Sequence, residues 1–148
     1  MPETKESYSR HAIQLELLKV LQLHIETKKA DSGDQEEYAK GFTLTVGCGE
    51  FNEENKTINV RISASIDSEK ADAPFDLLVE LLGIFSVDDS RFPLAYIEDW
   101  AKRNAPLILY PYVREHVFGL TNRAGYDSVI LPLLEVPTYK ITSSDESE

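Results

Sequence analysis

The residues able to do chemistry are few and scattered. The densest set stands in "LILYPYVREHVFGLTNRAG", residues 107–125, where Arg114, Glu115 and His116 are consecutive between apolar runs. On a helix, neighbours diverge by roughly 100°, so Glu115 and His116 do not form a dyad. The three histidines, His11, His24 and His116, fall in separate stretches, and none has the paired spacing of a metal site. Cys48, the only cysteine, excludes an internal disulfide and a CxxC centre. It lies between Gly47 and Gly49 in a strand-like run, where glycines mark a bulge or close packing, and it reads as a small hydrophobe. No GxSxG elbow or phosphate-cradling glycine loop occurs. The acid pairs Asp88–Asp89 and Glu98–Asp99 read as turn and helix-surface residues. Phe92, Tyr96 and Trp100 form either a ligand cage or the inward face of an amphipathic helix. This inventory predicts no catalytic group, no metal ligand and no cofactor.

The elements that would position these residues follow from periodicity. Residues 1–10 are polar and read as a frayed end. A first strand is expected near 18–27, where Leu21, Leu23 and Ile25 alternate with polar residues. Residues 27–40 read as a polar loop. A second strand over 41–51 places Phe42, Leu44, Val46 and Cys48 on one face. The third, over 57–67, alternates most cleanly: Ile58, Val60, Ile62, Ala64 and Ile66 against Thr57, Asn59, Arg61, Ser63 and Ser65. One face is then buried and one wet, as antiparallel sheets allow. The fourth, over 75–87, is apolar on both faces, so it is either central or covered by another subunit.

Beyond residue 88 the period becomes helical. Residues 90–105 read as a short helix with Ser90 as cap and Pro93 in the first turn. Residues 105–124 read as a long helix, with Pro106 at its start and Gly125 ending it in a left-handed conformation. Pro111 lacks a donor about one turn in, which predicts a bend or a slack first turn. One stripe carries Pro106, Tyr110, Val113, Val117, Leu120 and Ala124; a second carries Leu109, Tyr112, His116, Gly119 and Arg123; Phe118 lies on a third line. A helix apolar on several sides must be covered on several sides, and one four-stranded sheet covers only one. Self-association is therefore expected through Leu109, Tyr112, Val113, His116, Gly119 and Leu120, with Gly119 allowing close backbone approach. Arg114 and Glu115 are expected to be structural, at least one meeting an opposite charge or backbone groups. The last twenty residues read as extended, since Pro132 and Pro137 block a helix. The whole is a single α+β domain over 1–141, with an acidic disordered tail at 142–148.

The chain has 148 residues, and 26 acids oppose 15 bases for a net charge of −11. That balance disfavours nucleic acid and anionic membrane surfaces. It serves solubility alone, or it also attracts basic polypeptides. The polar N-terminus has no apolar core of a signal peptide, and no run is long enough to cross a bilayer. A cytoplasmic protein without membrane insertion is expected. "NKT" at Asn55 matches a glycosylation acceptor, which is noise without secretion.

The combination "GIF … PYxRE … RxG" resembles the SecB family of protein-export chaperones. It is carried by Gly83, Ile84, Phe85, Pro106, Leu109, Pro111, Tyr112, Arg114, Glu115, Arg123, Gly125 and Leu131, within residues 79–136. The resemblance implies a homotetramer, a dimer of dimers, with helices packed between two antiparallel sheets. It implies ATP-independent holding of unfolded polypeptides in long apolar grooves, and delivery to the SecA motor. The chain departs from the family pattern in three places. Its end, "TSSDESE", lacks the Cys/His-rich zinc-contacting tail. Leu82 replaces one of two paired glycines. Leu78 stands where an acid for SecA contact is usual, with Glu80 two residues on.

Three functions compete. The first is a client-holding chaperone serving export. The second is a dedicated SecB-like chaperone of one antitoxin or other single partner, as some relatives are. The third, of another class, is an oligomeric small-ligand binding protein using the sheet–helix crevice. For the chaperone, the client surface is expected at Phe42, Leu44, Phe51, Tyr96 and Trp100, apolar side chains at the edges that the helices leave open.

Overall fold

Alternation with a period of two lays out the sheet, and helical stripes lay out what covers it. The computed structural model describes residues 7–30 and 35–135; the tail expected at 142–148 lies outside them. The elements in chain order are β1 (Ile13–Thr27), α1 (Gln35–Lys40), β2 (Thr43–Cys48), β3 (Thr57–Ile66), β4 (Phe75–Val87), a 3-10 turn (Leu94–Tyr96), α2 (Ile97–Arg103) and α3 (Ala105–Arg123). The strands form one antiparallel sheet in the order β1-β4-β3-β2. This is the expected α+β arrangement of four antiparallel strands followed by a short and a long helix.

β3 and β4 supply the floor of the core. Ile58, Val60, Ile62, Ala64 and Ile66 are buried on β3, facing Phe75, Leu77, Val79, Leu81 and Phe85 on β4. Registered pairs such as Ile62 with Leu81 and Ala64 with Val79 keep both apolar rows on the helix side. β4 is apolar on both faces because it is central. Leu78, Leu82 and Ile84 lie half-buried between the side chains of its two neighbours on the outer face.

The expected first strand at 18–27 is too short. β1 begins at Ile13, and its register shifts twice, between Leu15 and Leu17 and between Val20 and Gln22. Each bulge reverses which residues face inward, so no single alternation runs through the strand. The polar loop expected over 27–40 is also corrected. α1 occupies Gln35–Lys40 and buries Tyr38 edge-on against Phe75, with ring centroids 5.3 Å apart. Six residues are too few to show a helical period.

Ser90 is not a helix cap. Its hydroxyl and amide both donate to Asp88, at 2.6 and 3.1 Å, which closes a turn. Pro93 remains extended, and helical geometry starts only at Leu94. α3 matches its expected span. Pro106 stands in its first turn, Pro111 lies inside it, and Gly125 follows it with φ +92°.

α3 buries Ala105, Pro106, Leu109, Tyr110, Val113, Val117 and Thr121. The helix lies close on β4 because position 83 has no side chain. A Cβ there would stand 2.8 Å from a Leu109 methyl. After Gly125 the chain turns back along α3 as an extended strap. Tyr126 packs on Phe75 at 5.0 Å and donates its hydroxyl to the Lys29 carbonyl. The buried Thr121 hydroxyl donates to Val117 O and accepts the Val129 N–H, both at 2.9 Å. Arg114 Nε donates to Leu131 O at 3.0 Å, and the Tyr110 hydroxyl donates to Pro132 O. Val129 and Leu131 are thereby fixed in the core. Arg114 is structural, as expected, with a backbone carbonyl as its partner; Glu115 is exposed.

Candidate functional site

Among the described residues, no group of three or more histidines, cysteines or carboxylates is placed to hold a metal. The three histidines stay apart. His11 stacks near Trp100, His24 stands 3.9 Å from Glu26, and His116 is half-buried on α3. Cys48 is half-buried at the end of β2, and burial pushes its thiol pKa up. A thiol held protonated in this way is a poor nucleophile.

The uncovered apolar surface is more informative, and it falls into two regions. The first borders β2, an edge strand only half covered by α2. Phe42, Leu44 and Cys48 are half-buried there, and Val46 is exposed at 37%. Just beyond β2, the loop at residues 49–56 faces the 94–98 turn across a cleft of about 340 Å³. The cleft has Phe51, Leu94 and Ile97 among its walls and Glu50, Glu53 and Glu98 around them, with no base in the lining. Tyr96 is exposed on the same turn but does not line the cleft. The structure thus brings Phe51 together with Leu94 and Ile97, which sequence reasoning did not single out. The signal was present as acids flanking one aromatic in "GEFNEEN".

Trp100 must be withdrawn from this surface. It is 4% exposed, packed edge-on against Phe85 at 5.3 Å with His11 stacked at 6.4 Å. One turn of helix separates it from Tyr96, and α2 directs that turn into the core.

The second region lies along β1 and α3. β1 is the other edge of the sheet and exposes Leu17, Val20, Leu21 and Leu23, Val20 at 49%. α3, which packs against β1, exposes Ile108 and Tyr112, the latter at 41%. Of the six residues expected at a subunit interface, Leu109 and Val113 are withdrawn. Both are fully buried in the core of their own protomer, beneath α3. Leu120 is half-buried and packs on that core, while His116 and Gly119 are half-exposed. A Cβ on Gly119 would meet nothing nearer than the Arg123 guanidinium at 3.5 Å, so the protomer itself does not require glycine there.

A family model described as preprotein translocase subunit SecB matches residues 6–136. The chain belongs to the SecB family. Members of this family are chaperones rather than enzymes. Among solved structures, the fold is similar to the Mycobacterium tuberculosis SecB-like chaperone solved in complex with a ChAD peptide from the HigA1 antitoxin. The TM-score is 0.62 and the identity 20%, covering 83% of this chain and 91% of that one. An uncharacterised protein of Methanocaldococcus jannaschii is 35% identical over 86 residues, 57% of this chain. That match spans about half the length of the relative, 54%. Within the SecB frame, the "GIF" glycine acquires a physical reason. Gly83 is where α3 touches the sheet.

Proposed function

We propose that this SecB-family chain holds unfolded polypeptides without ATP, in the cytoplasm, and keeps them competent for export. The observation that supports this most is the half-covered row Phe42, Leu44 and Val46 on the β2 edge, with Val46 exposed at 37%. Just beyond it, the cleft between the 49–56 loop and the 94–98 turn adds Phe51 and Leu94 among Glu50, Glu53 and Glu98, so apolar area is offered to an extended chain while like charges oppose self-aggregation. Carboxylates around it favour client segments in which apolar residues alternate with Lys or Arg. Burying a client side chain against Phe51 is worth about 1.5–3 kcal/mol. Phe51→Ala should therefore weaken capture roughly tenfold. The test is suppression of aggregation of an unfolded client by the wild type, Phe51→Ala and the triple Glu50→Gln, Glu53→Gln, Glu98→Gln variant. Weaker holding of basic clients by the triple variant supports the reading; unchanged holding by both variants overturns it.

The working unit is proposed to be a homotetramer, a dimer of dimers, that covers the β1 and α3 surfaces with second copies. A dedicated chaperone of one antitoxin is the second reading, favoured because the similar Mycobacterium tuberculosis fold was solved with an antitoxin peptide. A cytosolic pulldown separates the two: many precursors for the first, a single partner for the second. Delivery to the SecA motor belongs to the export reading, and here Leu78 and Glu80 would have to serve a contact usually made through an acid at the first position.

A further inference from the structure

The molecule carries a net charge of −11, yet one cleft has more basic than acidic residues in its lining. Arg10, His11, Lys56 and Arg91 line a depression of about 360 Å³ where the start of β1, the turn before β3 and the end of β4 meet. The walls are fixed by hydrogen bonds. Val87 N donates to Lys56 O at 2.9 Å, Asp88 N to Ala12 O at 2.8 Å, and Arg91 Nη2 to Arg10 O at 2.9 Å. The Arg10 guanidinium has no hydrogen-bond or ion-pair partner among the described residues. Two carboxylates stand nearby. Asp88 is engaged by Ser90, and Asp89 pairs with Lys56 at 3.0 Å.

Lys56 holds φ +57°, a left-handed conformation that suits glycine and strains a lysine, and its ammonium is paired with Asp89.

We propose that this cleft is the docking site of the chain's own acidic segment, residues 143–148, "SSDESE". Charge and reach both support that occupant. Asp145, Glu146 and Glu148 complement the Arg10 guanidinium and the adjoining Arg91. The strap runs back along α3, from Val129 beside Thr121 to Pro132 beside Tyr110, toward the helix start. α2 packs there and carries Trp100, stacked 6.4 Å from His11 of the cleft. From Glu135 to the acidic segment, the eight intervening steps of chain can reach at most about 26 Å at roughly 3.3 Å each. Being tethered, the segment needs only weak local affinity. Docking ties down the turn whose preceding residues, Glu50, Phe51 and Glu53, face the client cleft.

The test is paramagnetic broadening in the full-length protein, with a spin label on Ser147→Cys in a Cys48→Ser background. Amides of residues 10–14, 55–56 and 86–91 should lose intensity at low salt. They should regain it near 1 M salt, where the Debye length is about 3 Å, and in Asp145→Asn/Glu146→Gln/Glu148→Gln. Lys56→Gly separates docking from folding: relieving the strained φ should raise the melting temperature while abolishing the broadening. Full amide intensity at low salt overturns the proposal. So does broadening that survives both Lys56→Gly and Arg10→Gln, which shows that the cleft's cations do not hold the segment.

Discussion

At the scale of single residues, burial decides what a side chain can do. Trp100 is a core residue, so Trp100→Ala should destabilise the protomer by about 3–5 kcal/mol in urea unfolding, rather than weaken client holding alone. Gly83 is set by contact: Gly83→Ala drives a methyl into Leu109 and should cost about 1–3 kcal/mol, read by the same unfolding curves. Gly125 is set by its φ of +92° and not by space, since a Cβ there would meet nothing within 4 Å. Asp76 accepts the Ser68 amide at 2.8 Å, which holds its carboxyl below the usual range, with Lys28 at 3.6 Å adding to this. A depressed folded pKa gives stability that is present above the unfolded value of about 3.9 and lost as pH falls through the folded one. Asp76→Asn should therefore be less stable than wild type at neutral pH, with the gap closing in acid. A gap that stays constant with pH would show the Ser68 contact to be indifferent to charge.

At the scale of elements, the long helix both covers the sheet and straps down the chain that follows it. Thr121 is polar and fully buried because it serves two backbone groups, Val117 O and Val129 N–H. Thr121→Val keeps the shape but orphans a buried amide, and should cost about 1–3 kcal/mol. Hydrogen exchange should speed up most at Val129 and Leu131. Thr121→Ser should restore most of the protection, because the hydroxyl is what matters. Arg114 has the same task one step further along the strap. The charged triplet at 114–116, which invites a catalytic reading, thus divides into an arginine holding a backbone, an exposed glutamate and a half-buried histidine.

At the scale of the whole molecule, the open question posed by the fold is what covers β1 and the exposed side of α3. An edge strand 15 residues long with Leu17, Val20, Leu21 and Leu23 uncovered is a liability in a monomer. Gly119→Leu offers a clean probe, because a Cβ there meets only the end of the flexible Arg123 side chain, at 3.5 Å. It should lower the mass seen by light scattering while leaving the protomer's circular dichroism intact. Val20→Glu should act in the same direction from the strand side. Retention of the wild-type mass by both variants would place subunit contacts elsewhere.

The sequence by itself determined the antiparallel sheet, the span of α3 and the family. Each is written in local periodicity or in contiguous motif residues such as those at 109–115. It could not resolve β1, because two bulges reverse the alternation within one strand, nor α1, which is too short to show a helical period. Tertiary structure alone decided which apolar residues remained outside. Leu109 and Tyr112 share a stripe on one helix, yet one lies beneath it against Gly83 and the other faces outward. Trp100 and Tyr96 separate in the same way across one turn. Amphipathicity gives the width of a helix's apolar face, but only the approach of a particular sheet, permitted here by one missing Cβ, fixes how much of that face is covered.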